Sequence, residues 1–148
     1  MGKILSLNIS TAKGIEKTPV DTISVVVDHG FEGDAHAGSW HRQISLLAIE
    51  SINSMLARRS DLNLQPGSFA ENITTEGIDL CSLPVGTRLS AGEVELEVSQ
   101  IGKKCHAKCN IFHKVGDCVM PREGIFAKVI RPGTMRRNDE LHVIPKGG

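Results

Sequence analysis

Aromatic side chains are scarce, at 3% of the 148 residues, with no tyrosine and a single tryptophan. Stacking platforms for single-stranded nucleic acid need such rings, so that class of function is poorly supplied. Net charge is absent as well, because 17 basic and 17 acidic side chains cancel. A whole-surface nucleic-acid binder carries a basic footprint, and this balance argues against one. No stretch approaches the roughly 20 apolar residues needed to span a membrane, and the apolar opening is too short for the core of an export signal. Neither nucleic acid nor a membrane is therefore expected as a partner. The expectation is a cytoplasmic protein whose four cysteines are reduced, their value lying in metal, cofactor or thiolate chemistry.

What is present is an ordinary globular balance, 40% hydrophobic and 23% charged. The length suits one domain spanning residues 1–148, burying roughly 70% of its unfolded surface. Lys3 to Ser10 places Leu5, Leu7 and Ile9 on one face, a half-buried strand. Ile23 to Val27 is β-branched and reads as a second strand. The run 45–59 predicts the one substantial helix, with Ala48, Ile49, Ile52, Met55 and Leu56 at helical spacing, Ser45 as its cap and Arg58-Arg59 at its negative end. A short strand is expected at Asn72–Thr75. Glu93 to Ser99 alternates strictly between acids and apolar residues, as in a sheet wet on one side, and Ala91-Gly92 suits a tight hairpin with Arg88-Leu89-Ser90. Phe126–Arg131 and Leu141–Ile144 supply late strands around a turn at Pro132-Gly133. The class is mainly β, a barrel or compact sandwich with one helix and long functional loops.

The segment GKKCHAKCNIFHKVGDC, from Gly102 to Cys118, is rich in chemistry. Lys103, Lys104, Lys108 and Lys114 surround its cysteines, and neighbouring cations favour thiolate over thiol. Thiolate sulfur suits molybdenum, copper(I), zinc and iron–sulfur clusters alike. Cys105, Cys109, His113 and Cys118 could supply four tetrahedral zinc ligands, although the tight C-x-x-C knuckle is missing. Cys118 reads more simply as a small buried hydrophobe. A second constellation is the loop HGFEGDAHAGSWH, residues 29–41, where Asp34, His36, His41 and the following Arg42 sit in a glycine-framed setting. An Asp-x-His pair ligates metals or orients a base in other proteins. A third is Glu71-Asn72, whose plain reading is turn capping by side-chain oxygens.

In order and spacing, GDAHAG (33–38), PGSFAENITTEGIDL (66–80), VELEVSQIGKKC (94–105) and EGIFAKVIRPGTMRRNDEL (123–141) resemble the MOSC domain, named for the C-terminal part of molybdenum cofactor sulfurase. The motifs span about three-quarters of the chain, which looks similar to the short stand-alone bacterial members. The resemblance implies a MOSC-like β-barrel and a molybdenum–pterin cofactor (molybdopterin) or a sulfur cargo handled by one cysteine. That cysteine would be Cys105, with Cys109 in reserve, as molybdenum ligand or persulfide carrier. Asp34, His36, Glu71 and Asn72 match the pocket motifs, and Arg42, Lys103, Lys104 and Arg131 are the cations expected to hold the pterin phosphate. Some relatives reduce N-hydroxylated substrates, which implies a partner reductase as electron donor. A non-catalytic carrier would instead hand cofactor to a cofactor-biosynthesis protein, and a zinc-stabilised interaction module is the rival from outside cofactor chemistry. At family level the resemblance also extends to pyridoxal phosphate binding. The family's Gly-Glu-Asn stands here as Ala70-Glu71-Asn72, and its late Gly-Asp turn as Asn138-Asp139. A positive φ at these positions would strain Ala70 and be tolerated by Asn138.

Overall fold

The computed structural model describes residues 2–13, 15–58, 64–102 and 123–144. The chain begins with β1 (Gly2–Ile9), β2 (Thr18–Val20), β3 (Thr22–Val26) and β4 (Gly30–Phe31). Next come β5 (Ile44–Ala48), the helix α1 (Ile49–Arg58) and β6 (Ile73–Glu76). A short 3-10 turn at Leu80–Ser82 leads to β7 (Arg88–Ala91) and β8 (Val94–Ile101). β9 (Ile125–Arg131), β10 (Gly133–Arg136) and β11 (Glu140–Ile144) complete the described chain.

Seven strands close on themselves in the order β11, β7, β8, β9, β5, β6, β1 and back to β11. The result is the expected barrel, and closure removes the exposed strand edges that an open sheet must protect. Pairing is antiparallel throughout this ring except between β5 and β6. β2 adds to the flank of β1, while β3, β4 and β10 form a separate three-stranded sheet. Val25, Phe31 and Met135 of that small sheet join the barrel core of Ile4, Leu7, Leu89, Leu96, Ile125 and Leu141. Each fully buried aliphatic of this kind contributes roughly 1.5–3 kcal/mol. Among the described residues no helix is long and apolar enough to cross a membrane.

β8 follows its alternation: Val94, Leu96 and Val98 point into the core. On the opposite face Arg88 reaches Glu95 and Glu97, both at 3.2 Å. Ala91 pairs with Val94, so the hairpin turn lies at Gly92-Glu93.

Two expectations need correction. The helix does not begin at Ser45; residues 44–48 are a strand and α1 starts at Ile49. Ile44 and Leu46 face the barrel core, whereas Leu47 joins Ile52, Met55 and Phe69 in a second cluster beneath the helix. A strand buried on both faces has no alternation, and its continuous apolar run reads like part of a helix. The Pro132-Gly133 turn, likewise, opens directly into β10, which pairs with β3. That pairing is non-local and leaves no signature in the segment itself.

Candidate functional site

At one end of the barrel, four chain segments converge on a buried polar cluster. β1 delivers Asn8, the residue just past its end is Ser10, the turn before β2 delivers Lys17, the loop after β4 delivers Asp34 and His36, and the loop into β6 delivers Glu71 and Asn72. The Lys17 and Asp34 side chains are fully buried, with Nζ 2.7 Å from Asp34 Oδ1. Nζ also lies 3.0 Å from Ser10 Oγ and 3.0 Å from His36 Nδ1. Asp34 accepts further bonds from the backbone N–H of Ser10 and of His36, each at 3.1 Å. Burial by itself opposes the Asp34 charge, but the bond and charge of Lys17, with help from Asn72 and Ser10, hold its carboxyl below the usual range. Burial pulls Lys17 below the ordinary lysine value against the opposing pull of Asp34 and Glu71.

Glu71 is wholly buried and turns back into its own loop. It accepts from the N–H of Gly67 (3.0 Å) and Phe69 (3.2 Å) and from the Thr74 hydroxyl (2.7 Å). Burial pushes its carboxyl up, and these donors counter only part of that effect. Asn72 stitches three strands together, accepting from Ser45 N–H at 3.0 Å and donating to the Asn8 carbonyl at 3.2 Å. Gly67 is where the loop touches Lys17: the Lys17 N–H donates to the Gly67 carbonyl at 2.9 Å. With φ at +92°, a Cβ there would overlap the Lys17 carbonyl oxygen, so only glycine permits the approach.

In front of this cluster opens a cavity of about 200 Å³, lined by Lys13, His36, Trp40, Arg42, Ser45, Phe69, Ala70 and Phe126. Its cations are stacked on its rings. Lys13 Nζ lies 5.2 Å from the Trp40 centroid, and Arg42 Cζ lies 5.8 Å from Trp40 and 5.3 Å from Phe126. The Trp40 indole N–H donates to the His36 carbonyl at 2.9 Å. Gln100 ties this wall to the end of β8. Its Oε1 accepts from Arg42 Nε at 3.2 Å and meets His41 Nε2 at 2.8 Å, while its Nε2 donates to the Gly102 carbonyl at 2.7 Å. Gly102 is thus held beside the cavity, directly before the cysteine-bearing segment.

The MOSC domain model matches residues 33–142. The chain belongs to the MOSC domain family. MOSC domains are, as a family, molybdenum-cofactor-binding or sulfur-carrier-type domains. The structure is similar to that of YuaD from Bacillus subtilis, with a TM-score of 0.79 at 22% identity, covering 96% of this chain and 94% of that one. It is similar also to YiiM from Geobacillus stearothermophilus (TM-score 0.76, 23% identity, 99% and 77% coverage). YiiM from Escherichia coli gives a TM-score of 0.74 at 19% identity, with 99% and 71% coverage. At these identities the likeness is one of fold. Among curated proteins none matches.

Against the MOSC barrel, the residues expected from sequence fall into four groups. His36 and Arg42 line the cavity. Asp34, Glu71 and Asn72 lie behind it, buried, and support its wall. Arg131 projects from the outer face, 66% exposed and 3.6 Å from Glu95. Its strand pairing with Glu95, against Ile101 with Ile125 at the cavity end, puts it about 20 Å along the hairpin. Lys103, Lys104, Cys105, Cys109 and Cys118 lie outside the described residues. Sequence reasoning missed Lys17, Lys13 and Gln100. Lys17 carries no local signal beyond a charge beside Thr18-Pro19; Gln100 lies just past the alternating run. The family departures have a backbone counterpart, with Ala70 at φ +64° and Asn138 at φ +77°.

A larger cavity, about 600 Å³, opens beside α1 among Glu50, Asp79, Cys81 and Glu123. Partial burial, reinforced by Glu123 and Asp79, pushes the Cys81 thiol up. A thiol held protonated is a poor nucleophile and a poor soft-metal ligand, so volume alone does not move the candidate site there.

Proposed function

We propose that the chain binds a molybdenum–pterin cofactor at the cavity between His36, Arg42 and Phe126, with Cys105 as the sulfur ligand to molybdenum or the acceptor of a sulfane sulfur. The observation that carries this is the join at Gln100. It links a cationic, aromatic-walled cavity to Gly102, and Cys105 follows three residues later. Three residues of chain reach at most about 10 Å.

The donor set fits such a group. Arg42 and Lys13 supply the charge-assisted bonds that a phosphate ester takes, and Trp40, Phe69 and Phe126 offer flat apolar walls for a ring. A cavity of about 200 Å³ suits the anionic end rather than an entire pterin. Lys103 and Lys104 would add charge near Cys105, favouring its thiolate. Because Arg131 stands on the outer face and Arg42 lines the cavity, the reading assigns the phosphate contact to Arg42. When bound, the cofactor supplies the redox chemistry; the chain binds it, orients it and keeps water from it. Turnover of an N-hydroxylated substrate would draw electrons from a separate reductase.

The test is the molybdenum and pterin content of protein from molybdenum-replete cells, purified without oxygen, for the natural chain and Cys105→Ser. Roughly stoichiometric molybdenum with pterin, lost in Cys105→Ser at unchanged melting temperature, is the expected result. Zinc alone, held by Cys105, Cys109, His113 and Cys118, would overturn it. Protein free of metal but carrying a persulfide on Cys105 would select the sulfur-carrier form.

A further inference from the structure

Resting on the reading of this cavity as the binding site, we propose that Gln100 is a positioning residue. Turned toward the cavity by a β-bulge, it holds the Arg42 guanidinium as a fixed two-pronged donor for a phosphate ester. Val94, Leu96 and Val98 face the barrel core, and continued alternation would send Gln100 inward after them. The register breaks first. Val98 pairs with the core residue Ala127, but Gln100 pairs with Phe126, so Ser99 is an extra residue on its strand. A bulge of this kind re-aims the side chain that follows it. Gln100 therefore shares a face with Phe126, which belongs to the cluster beneath the helix and lines the cavity. The extra residue is used as well, since the Ser99 hydroxyl donates to the His41 carbonyl. Two neighbouring side chains of β8 thus grip two neighbouring residues of the loop before β5.

The Gln100 amide can stand only one way round. Arg42 Nε can only donate, so the atom 3.2 Å from it is the amide oxygen. The Gly102 carbonyl can only accept, so the atom 2.7 Å from it is the amide nitrogen. With Nε engaged, and the Trp40 and Phe126 centroids 5.8 Å and 5.3 Å from Cζ, the guanidinium is restrained at three points. Its two Nη groups have no hydrogen-bond or ion-pair partner among the described residues. They form the outer edge of the guanidinium plane, whose parallel N–H groups match two oxygens of one phosphate. The same cavity holds Lys13 over Trp40, and no carboxylate is among the described residues that line it. Fixing the fork before the anion arrives removes an ordering cost from binding. A lysine in place of Arg42 is a point charge with no fork to fix, and would gain little from Gln100.

The experiment is a double-mutant cycle on the full chain. The natural protein, Gln100→Leu, Arg42→Lys and the double variant are each titrated with inorganic phosphate at constant ionic strength. Trp40, the single tryptophan, reports binding through its emission. Gln100→Leu should weaken phosphate about tenfold, as for the loss of one hydrogen bond to a charged group. In the Arg42→Lys background the same substitution should cost less than about twofold. Equal costs in both backgrounds would mean that Gln100 does not act through Arg42, and would overturn the proposal. So would a natural chain whose Trp40 emission ignores phosphate at saturating concentration. Nitrogen-15 correlation spectra add a readout independent of affinity, with the Arg42 Nε proton assigned by its loss in Arg42→Lys. That proton should exchange slowly with water in the natural chain and fast in Gln100→Leu; unchanged exchange would also overturn the proposal. Where Gln100→Leu melts well below the natural protein, Gln100→Met, which keeps the side chain's length, takes its place. Protein purified without molybdenum or pterin would end the cofactor reading while leaving each of these readouts intact. Stoichiometric cofactor alongside an additive cycle would sink the positioning role alone.

Discussion

Replacing Lys17 by methionine keeps most of the side chain's length and removes the charge that balances Asp34. Both side chains are fully buried, 2.7 Å apart, so no solvent screens the loss. Breaking a buried pair by removing one partner costs about 3–5 kcal/mol, because the other charge is left uncompensated. That is a large part of a total stability of about 5–15 kcal/mol. Asp34→Asn in the same background removes the orphaned charge and keeps an oxygen for the Ser10 N–H. The double variant should therefore regain about 2 kcal/mol or more over Lys17→Met alone. The sign with pH follows from Asp34. Its native carboxyl lies below its ordinary value, so its contribution is present above the unfolded value of about 3.9 and lost as pH falls through the native one. In Lys17→Met, burial acts without the opposing charge and the native value rises. The deficit of the variant should thus be greatest near neutrality and narrow toward about pH 4. Urea unfolding followed by Trp40 fluorescence, at neutral and acid pH, measures both quantities. A Lys17→Met protein within about 1 kcal/mol of the natural chain at neutral pH, with unchanged m, would refute the reasoning.

Gly67→Ala should lower the melting temperature by at least about 4 °C, because a Cβ at φ +92° overlaps the Lys17 carbonyl oxygen; an unchanged melt would show that the loop can move away from Lys17. Ala70→Gly should act in the opposite direction. Relief of the left-handed strain at φ +64°, worth about 1–2 kcal/mol, exceeds the added chain entropy of roughly 0.4–1 kcal/mol. A rise of about 2 °C is expected by calorimetry, and a fall of that size would mean that the Ala70 methyl, packed beside Phe69, contributes more than the strain costs.

Much of the barrel was legible from the chain because its strands alternate. β8 shows this most clearly: Val94, Leu96 and Val98 go inward while Glu95 and Glu97 go out to Arg88. β5 was not legible, since Leu46 and Leu47 are buried against different clusters and no period survives. The motifs around Asp34, His36 and Glu71 stood out by residue type, but their division of labour did not. Glu71 turned out to cap its own loop, as the plain reading of the pair held, and only His36 and Arg42 of the described candidates face the cavity.

The sequence by itself determined the class of fold, the order of its motifs and the family, because these depend on local periodicity and on spacing along the chain. The tertiary structure decided which polar residues meet. Lys17 and Asp34 are 17 positions apart, Asn8 and Asn72 are 64 apart, and Arg42 and Gln100 are 58 apart. Such partnerships are created by barrel closure, which brings distant strand ends to one rim. Their energy comes from being buried together, and burial is a property of the folded whole that no segment carries alone.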